Sequence, residues 1–194
     1  MQRTATKISL AALSALAVLA SSNVIAAGSL AGQLNAQMTL QAGCIVSGAP
    51  GAGATGVNFG TLDFGTQPAT FTGILAATSS GGAGGAGATQ ILCSPDVTSL
   101  SITVSGGNNA GQGGSVGIGS RAMKLGTSSY LPYEVYSDAG MTSAYPTSAS
   151  AVGVTLPGTG VALPLPIYGR INKTSPAALV SGTYTDVLQV TLAW

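Results

Sequence analysis

Ser29-Leu30-Ala31-Gly32-Gln33-Leu34-Asn35-Ala36-Gln37-Met38-Thr39-Leu40-Gln41-Ala42 alternates two kinds of residue. The even positions are Leu30, Gly32, Leu34, Ala36, Met38, Leu40 and Ala42, all apolar or without a side chain. Apart from Ala31, the odd positions from Ser29 to Gln41 are polar and uncharged. A period of two places each set on its own face of an extended strand, here expected over 29–41. Such a strand needs a sheet against which to bury its apolar face. From the pattern alone two readings stand: the first strand of the chain's own sandwich, or a strand that joins a partner's sheet.

Upstream, Met1–Lys7 carries Arg3 and Lys7, Ile8–Ala20 is an apolar run, and Val24 and Ala26 are small residues two apart. These are the three parts of a secretory signal peptide, expected over residues 1–26, although Ala27 serves equally as its last residue. The apolar run contains serine and is shorter than the ~20 residues of a bilayer-spanning helix. Export to an oxidising compartment follows, and there Cys44 and Cys93 most simply pair with each other. Closing that loop stabilises the fold by about 3 to 4.5 kcal/mol on the chain-entropy account.

Removing the leader leaves about 168 of the 194 residues, enough for one domain with its own core. Hydrophobic residues make up 45% of the chain and charged ones 6%, a balance unlike that of disordered chains. Beyond the leader, Arg121, Lys124, Arg170 and Lys173 face Asp63, Asp96, Glu134, Asp138 and Asp186, a net charge near −1. There is no basic stripe to neutralise phosphates, so nucleic acid is not an expected partner. Period-2 alternation recurs between Gly, Pro, Asn and Ser clusters. Strands are expected at 44–47, 57–63, 70–76, 89–94, 98–105, 121–125, 131–137, 152–156, 161–171 and 183–193, an all-β sandwich. The glycine-rich stretches at 79–88 and 106–119 are expected to be long surface loops.

Catalytic equipment is missing. The chain has no histidine, which removes the commonest general base and zinc ligand. Glu134 and Asp138 form the closest carboxylate pair in sequence, but a solvated strand position and a turn account for both. The Gly-x-Gly-x-x-Gly matches at Gly51, Gly53 and Gly56 and at Gly82, Gly84 and Gly87 lead into strand-like segments. Neither has a helix N-terminus to receive a phosphate. No enzyme activity, cofactor or metal is expected.

At the other end, Gly182-Thr183-Tyr184-Thr185-Asp186-Val187-Leu188-Gln189-Val190-Thr191-Leu192-Ala193-Trp194 also alternates. Tyr184, Leu188, Val190, Leu192 and Trp194 share one face, an edge that another strand can join. The chain thus has a strand to give and an edge to receive one.

Several features together carry a family resemblance. They are Cys44 directly after the N-terminal strand, Phe59-Gly60-Thr61-Leu62-Asp63-Phe64-Gly65, and the strand ending in Cys93. Further along come Leu131-Pro132-Tyr133-Glu134-Val135-Tyr136-Ser137-Asp138, Leu165-Pro166-Ile167-Tyr168-Gly169-Arg170 and Gly182–Asp186. In this order and spacing the chain resembles the archaic (Csu-type) chaperone–usher pilins that carry a spore coat protein U domain. The resemblance implies an incomplete immunoglobulin-like sandwich over 43–194, completed by a donor strand over 27–42 of a neighbouring subunit. The donor face would be Leu30, Gly32, Leu34, Ala36, Met38 and Leu40, and the acceptor edge Tyr184, Leu188, Val190, Leu192 and Trp194. It further implies a homopolymeric pilus on the cell surface, exported through the periplasm by a periplasmic chaperone and an outer-membrane usher, with roles in adhesion and biofilm formation. Two other readings remain. One is a secreted carbohydrate-binding sandwich with a platform of Tyr130, Tyr133, Tyr136 and Tyr145. The other is a non-polymerising coat protein of the same fold.

Overall fold

The computed structural model describes residues 29–49, 54–158 and 160–194. The expected leader and the first two residues of the expected 27–42 segment lie outside the described residues. Among those described there are strands and turns but no helix. Contacts divide the chain into a unit ending at Thr39 and a body, Leu40–Trp194.

Three antiparallel sheets build the body. In the first, β1 (Cys44–Val46) is the edge strand beside β3 (Gln90–Cys93), which also pairs with β9 (Leu163–Pro164). The second runs β2 (Gly73–Thr78), β10 (Tyr168–Lys173), β7 (Ser129–Tyr136) and β6 (Arg121–Leu125), with β5 (Gly117–Ile118) also on β10. In the third, β11 (Val190–Ala193) is the edge strand beside β4 (Leu100–Val104), which pairs on its other side with β8 (Val152–Val154).

One apolar core joins all three. Leu100, Ile102 and Val104 alternate inward along β4, and they cluster with Ile91 of β3, Leu131, Tyr133 and Val135 of β7, and Ile171 of β10. Each large side chain withdrawn from water in this way contributes about 1.5–3 kcal/mol. Cys44 and Cys93 are directly opposite each other in the β1–β3 ladder and are disulfide-bonded, as their compartment led one to expect.

Inside this core lies a charge that patterning did not reveal. Arg121 is fully buried, and its guanidinium donates to Glu134 Oε1 at 2.7 Å. It also donates to the carbonyls of Ser105 (2.9 Å), Val104 (3.2 Å) and Tyr145 (3.1 Å). Glu134 is therefore not the solvated strand residue expected. Its carboxylate also accepts from the Ser120 hydroxyl and from the backbone N–H groups of Ser120 and Val135. Burial lowers the Arg121 pKa and the neighbouring Glu134 opposes that shift. A buried pair satisfied this fully ties β4, β6, β7 and the Tyr145 loop in one arrangement.

The strand expectations need correction where backbone pairing depended on distant partners. Segment 57–63 forms no strand, only a bridge between Thr61 and Ser80. The carbonyl of Phe59 instead accepts from the Ser79 and Thr89 hydroxyls. Segment 161–171 splits into β9 and β10 because Pro164 and Pro166 have no N–H to donate. The strand expected at 70–76 sits at Gly73–Thr78, and β5 falls inside a stretch expected to be loop. Nor are the glycine-rich stretches loose. Ala83 N–H donates to the Asn58 carbonyl, and Gly111 N–H to that of Ser120.

Replacing Cys44 or Cys93 by Ser should lower stability by about 3 to 4.5 kcal/mol, read as a reduced urea midpoint and reduced subunit accumulation. A second expectation concerns alkaline pH. Burial pushes the Tyr145 phenol up to about 12, and its hydroxyl donates to the Pro166 carbonyl at 3.1 Å. Below about pH 10 the neutral phenol exists in both folded and unfolded chains and its contribution is complete. Above that the unfolded chain ionises first, so stability falls as pH rises from about 10 towards 12. Urea midpoints measured at about pH 9 and pH 11.5 should show this drop, and Tyr145→Phe should lessen it.

Candidate functional site

The edge strands β1 and β11 are both left open on one side, and both line a groove of about 800 Å³. Cys44 and Val46 of β1 and the segment 54–62 form one wall; residues 184–192 and Trp194 form the other. Phe59, Leu62, Phe64, Met123, Tyr133 and Ile167 supply large apolar and aromatic surface between them. Phe59 and Leu62 come from the segment 57–63 that failed to form a strand, and Phe64 directly follows it. It is held by hydroxyl donors to the Phe59 carbonyl and by its bridge to Ser80. At Gly60, with φ of +102°, a Cβ would stand 2.6 Å from the Ser80 carbonyl oxygen, so only glycine lets the wall approach so closely.

The far wall changes partner along its length. Thr185 exchanges both backbone hydrogen bonds with Lys124 of β6, at 2.9 and 3.1 Å. From Gln189, whose carbonyl accepts from Ser105 N–H at 2.9 Å, the chain pairs with β4 instead. This switch is why the expected strand 183–193 is regular only at Val190–Ala193. In an antiparallel ladder, backbone groups of successive residues point to opposite sides. Gln189, Thr191 and Ala193 therefore address β4, while the N–H and C=O groups of Leu188, Val190 and Leu192 lie on the free edge.

Side chains alternate as well. Tyr184, Asp186, Leu188, Val190 and Leu192 are half-buried, and Thr185, Val187, Gln189 and Thr191 are exposed. The structure thus brings Tyr184, Leu188, Val190, Leu192 and Trp194 together on one wall, Trp194 remaining 46% exposed. Sequence reasoning did not single out Asp186, the one charged residue in the lining among the described residues. Tyr133 OH donates to its Oδ2 at 2.8 Å and Asn108 N–H to its Oδ1 at 2.9 Å. Burial, reinforced by Asp186, holds the Tyr133 phenol far above its ordinary pKa, so it stays a donor. The spacing Phe59, Leu62, Phe64 was visible within a family motif, but nothing local marked those residues as groove lining.

Residues 29–42 pair with no strand, which corrects the strand expected at 29–41. Leu30, Leu34, Met38 and Leu40 are 105%, 96%, 79% and 80% exposed, and Gly32 and Ala36 are exposed too. Such large apolar side chains in a row, all in water, are costly to leave uncovered. The tyrosine platform does not form: Tyr133, Tyr136 and Tyr145 are buried in the body. No cluster able to hold a metal ion occurs among the described residues, and no described helix is long and apolar enough to cross a membrane.

A family model described as the Spore Coat Protein U domain matches residues 30–191. No curated protein matches the chain. Among solved structures, it is similar to a chain in the crystal structure of the CsuC-CsuE chaperone-tip adhesion subunit pre-assembly complex from archaic chaperone-usher Csu pili of Acinetobacter baumannii. The two are 20% identical with a TM-score of 0.42, over 80% of this chain and 40% of that one. This chain therefore spans less than half the length of that one.

The groove geometry has a directly measurable signature. Amide hydrogen exchange on the subunit should be fast at Leu188, Val190 and Leu192 and slower at Thr191 and Ala193. Uniform protection along β11 would show that its outer edge is already paired.

Proposed function

Because the chain belongs to the Spore Coat Protein U domain family, we propose that it is a structural pilus subunit that polymerises by donor-strand complementation, and not an enzyme. One observation carries this reading: an open groove between two edge strands on the body, and an unpaired 29–41 segment with six alternate apolar or glycine positions. The even residues of the segment repeat at the same spacing as the half-buried even residues Tyr184, Asp186, Leu188, Val190 and Leu192. Insertion buries Leu30, Leu34, Met38 and Leu40, each contributing about 1.5–3 kcal/mol on full burial, with Ala36 adding less. Gly32 would sit where the groove admits no side chain. The free backbone groups of Leu188, Val190 and Leu192 gain partners, which sets affinity, and the apolar side chains set register.

The segment and the groove are different surfaces of one chain, so joining copies head to tail builds a filament and not a closed dimer. The odd face of the inserted strand, Ser, Ala, Gln, Asn and Thr, lies outward without repulsion between like charges. Before assembly the groove exposes apolar surface and two sheet edges, which calls for a periplasmic chaperone as a temporary occupant and an outer-membrane usher for delivery. The expected leader supports this route, and the fibre's place is the cell surface, with adhesion and biofilm formation as its roles. Burial of the tyrosines disfavours a carbohydrate platform, and a donor segment complementary to the chain's own groove disfavours a non-polymerising coat protein.

Leu34→Asp or Met38→Asp should abolish fibres seen by electron microscopy while leaving the subunit at near-normal level, and deletion of 29–41 should do the same. Loss of the subunit itself, as with a core variant, would contradict donation in trans.

A further inference from the structure

We infer that Asp186 is the positioning residue of the acceptor edge, a latch that holds the groove wall in shape before any strand arrives; this rests on the groove being a strand acceptor. Between Thr185, bonded to β6, and Gln189, bonded to β4 through Ser105, the wall has no backbone ladder of its own. Asp186 occupies that gap. Its two oxygens take hydrogen bonds from two unrelated parts of the body, the Tyr133 hydroxyl on β7 at 2.8 Å and the Asn108 N–H in the loop after β4 at 2.9 Å. Gly107, with φ of +72°, cups the carboxylate so closely that a Cβ there would lie 2.1 Å from Oδ2. Ser105 completes the hold at the far side of the gap, its hydroxyl accepting from Gln189 N–H at 2.9 Å.

The consequence is preorganisation. The half-buried residues Leu188, Val190 and Leu192 point into the groove because the segment before them is fixed in direction at Asp186. An edge that must first be ordered binds more weakly by the fraction of time it spends disordered. The donor face offers only Leu, Gly, Ala and Met, so Asp186 gains nothing from the incoming strand. Both its oxygens already have donors, so covering it leaves no buried oxygen unpaired.

The test uses the full chain carrying Leu34→Asp, so that its own segment does not compete, and a fluorescent peptide of residues 29–41 titrated by anisotropy. On that background Asp186→Ala and Tyr133→Phe should each weaken peptide binding by roughly tenfold. Asp186→Asn, which can accept from Asn108 and donate to Tyr133, should stay within about threefold of the Asp186 chain. Hydrogen exchange should quicken at Thr185–Gln189 in the two weakened variants, with β4 and β7 still protected. Should Asp186→Ala fail to accumulate, Tyr133→Phe decides, since it keeps the buried ring. Unchanged peptide affinity in both variants overturns the latch and leaves the acceptor groove standing. Weakening that comes with lost protection throughout β4 and β7 overturns it as well, as general unfolding. No binding by the chain with Asp186 and Tyr133 intact overturns the acceptor reading, and the latch with it.

Discussion

β11 is bonded to the body along one edge only, and most of what distinguishes this chain follows from that. A sheet edge is a row of unspent donors and acceptors, and proteins usually shorten, bend, charge or cover it. Here the two edges β1 and β11 border the same groove. Apolar side chains line that groove instead of charges, with Asp186 the exception. Both edge strands are short, but the charges that normally discourage strand addition are missing where addition is proposed.

The rest of the body stiffens the frame around that opening. Arg121 and Glu134 fasten β4, β6 and β7 to the Tyr145 loop, while the disulfide fastens β1 to β3. Ser79 and Thr89 hold the Phe59 wall by its carbonyl oxygen. A groove lined by Phe, Leu, Met and Ile would close on itself in a pliant body, since collapse buries apolar surface. Rigid attachment of both walls keeps it open, so polar interactions maintain a space that serves apolar contacts.

The all-β class and the even-numbered face of 184–194 were legible from alternation, because a period of two survives whatever the strand pairs with. The disulfide was legible from compartment and count. Segment 57–63 was read as a strand from its alternation, yet its partners are hydroxyls from residues 79 and 89, contacts that no local pattern encodes. Arg121 was counted only in the net charge because a buried charge is recognisable only by its partners, which here come from three separate stretches. Asp186 was quoted within a motif but given no role, since its importance arises where the wall changes from β6 to β4. The amphipathic run at 29–41 had two readings, and its lack of pairing weighs for the one in which the partner is another molecule.

Cys44 is the first residue of β1, and the chain enters it directly from the segment that precedes Gly43. Its disulfide partner Cys93 is the residue opposite in the ladder. Tension applied through the preceding segment meets the hydrogen bonds between Gly43 and Ser94 and, one residue on, a covalent cross-link that passes it into β3 before the rest of the three-residue strand β1 is loaded. A short edge strand can be peeled away one hydrogen bond at a time under a pull of this kind. With its first residue covalently stapled to the neighbouring strand, peeling cannot run on from that end, so this short edge strand is mechanically shielded.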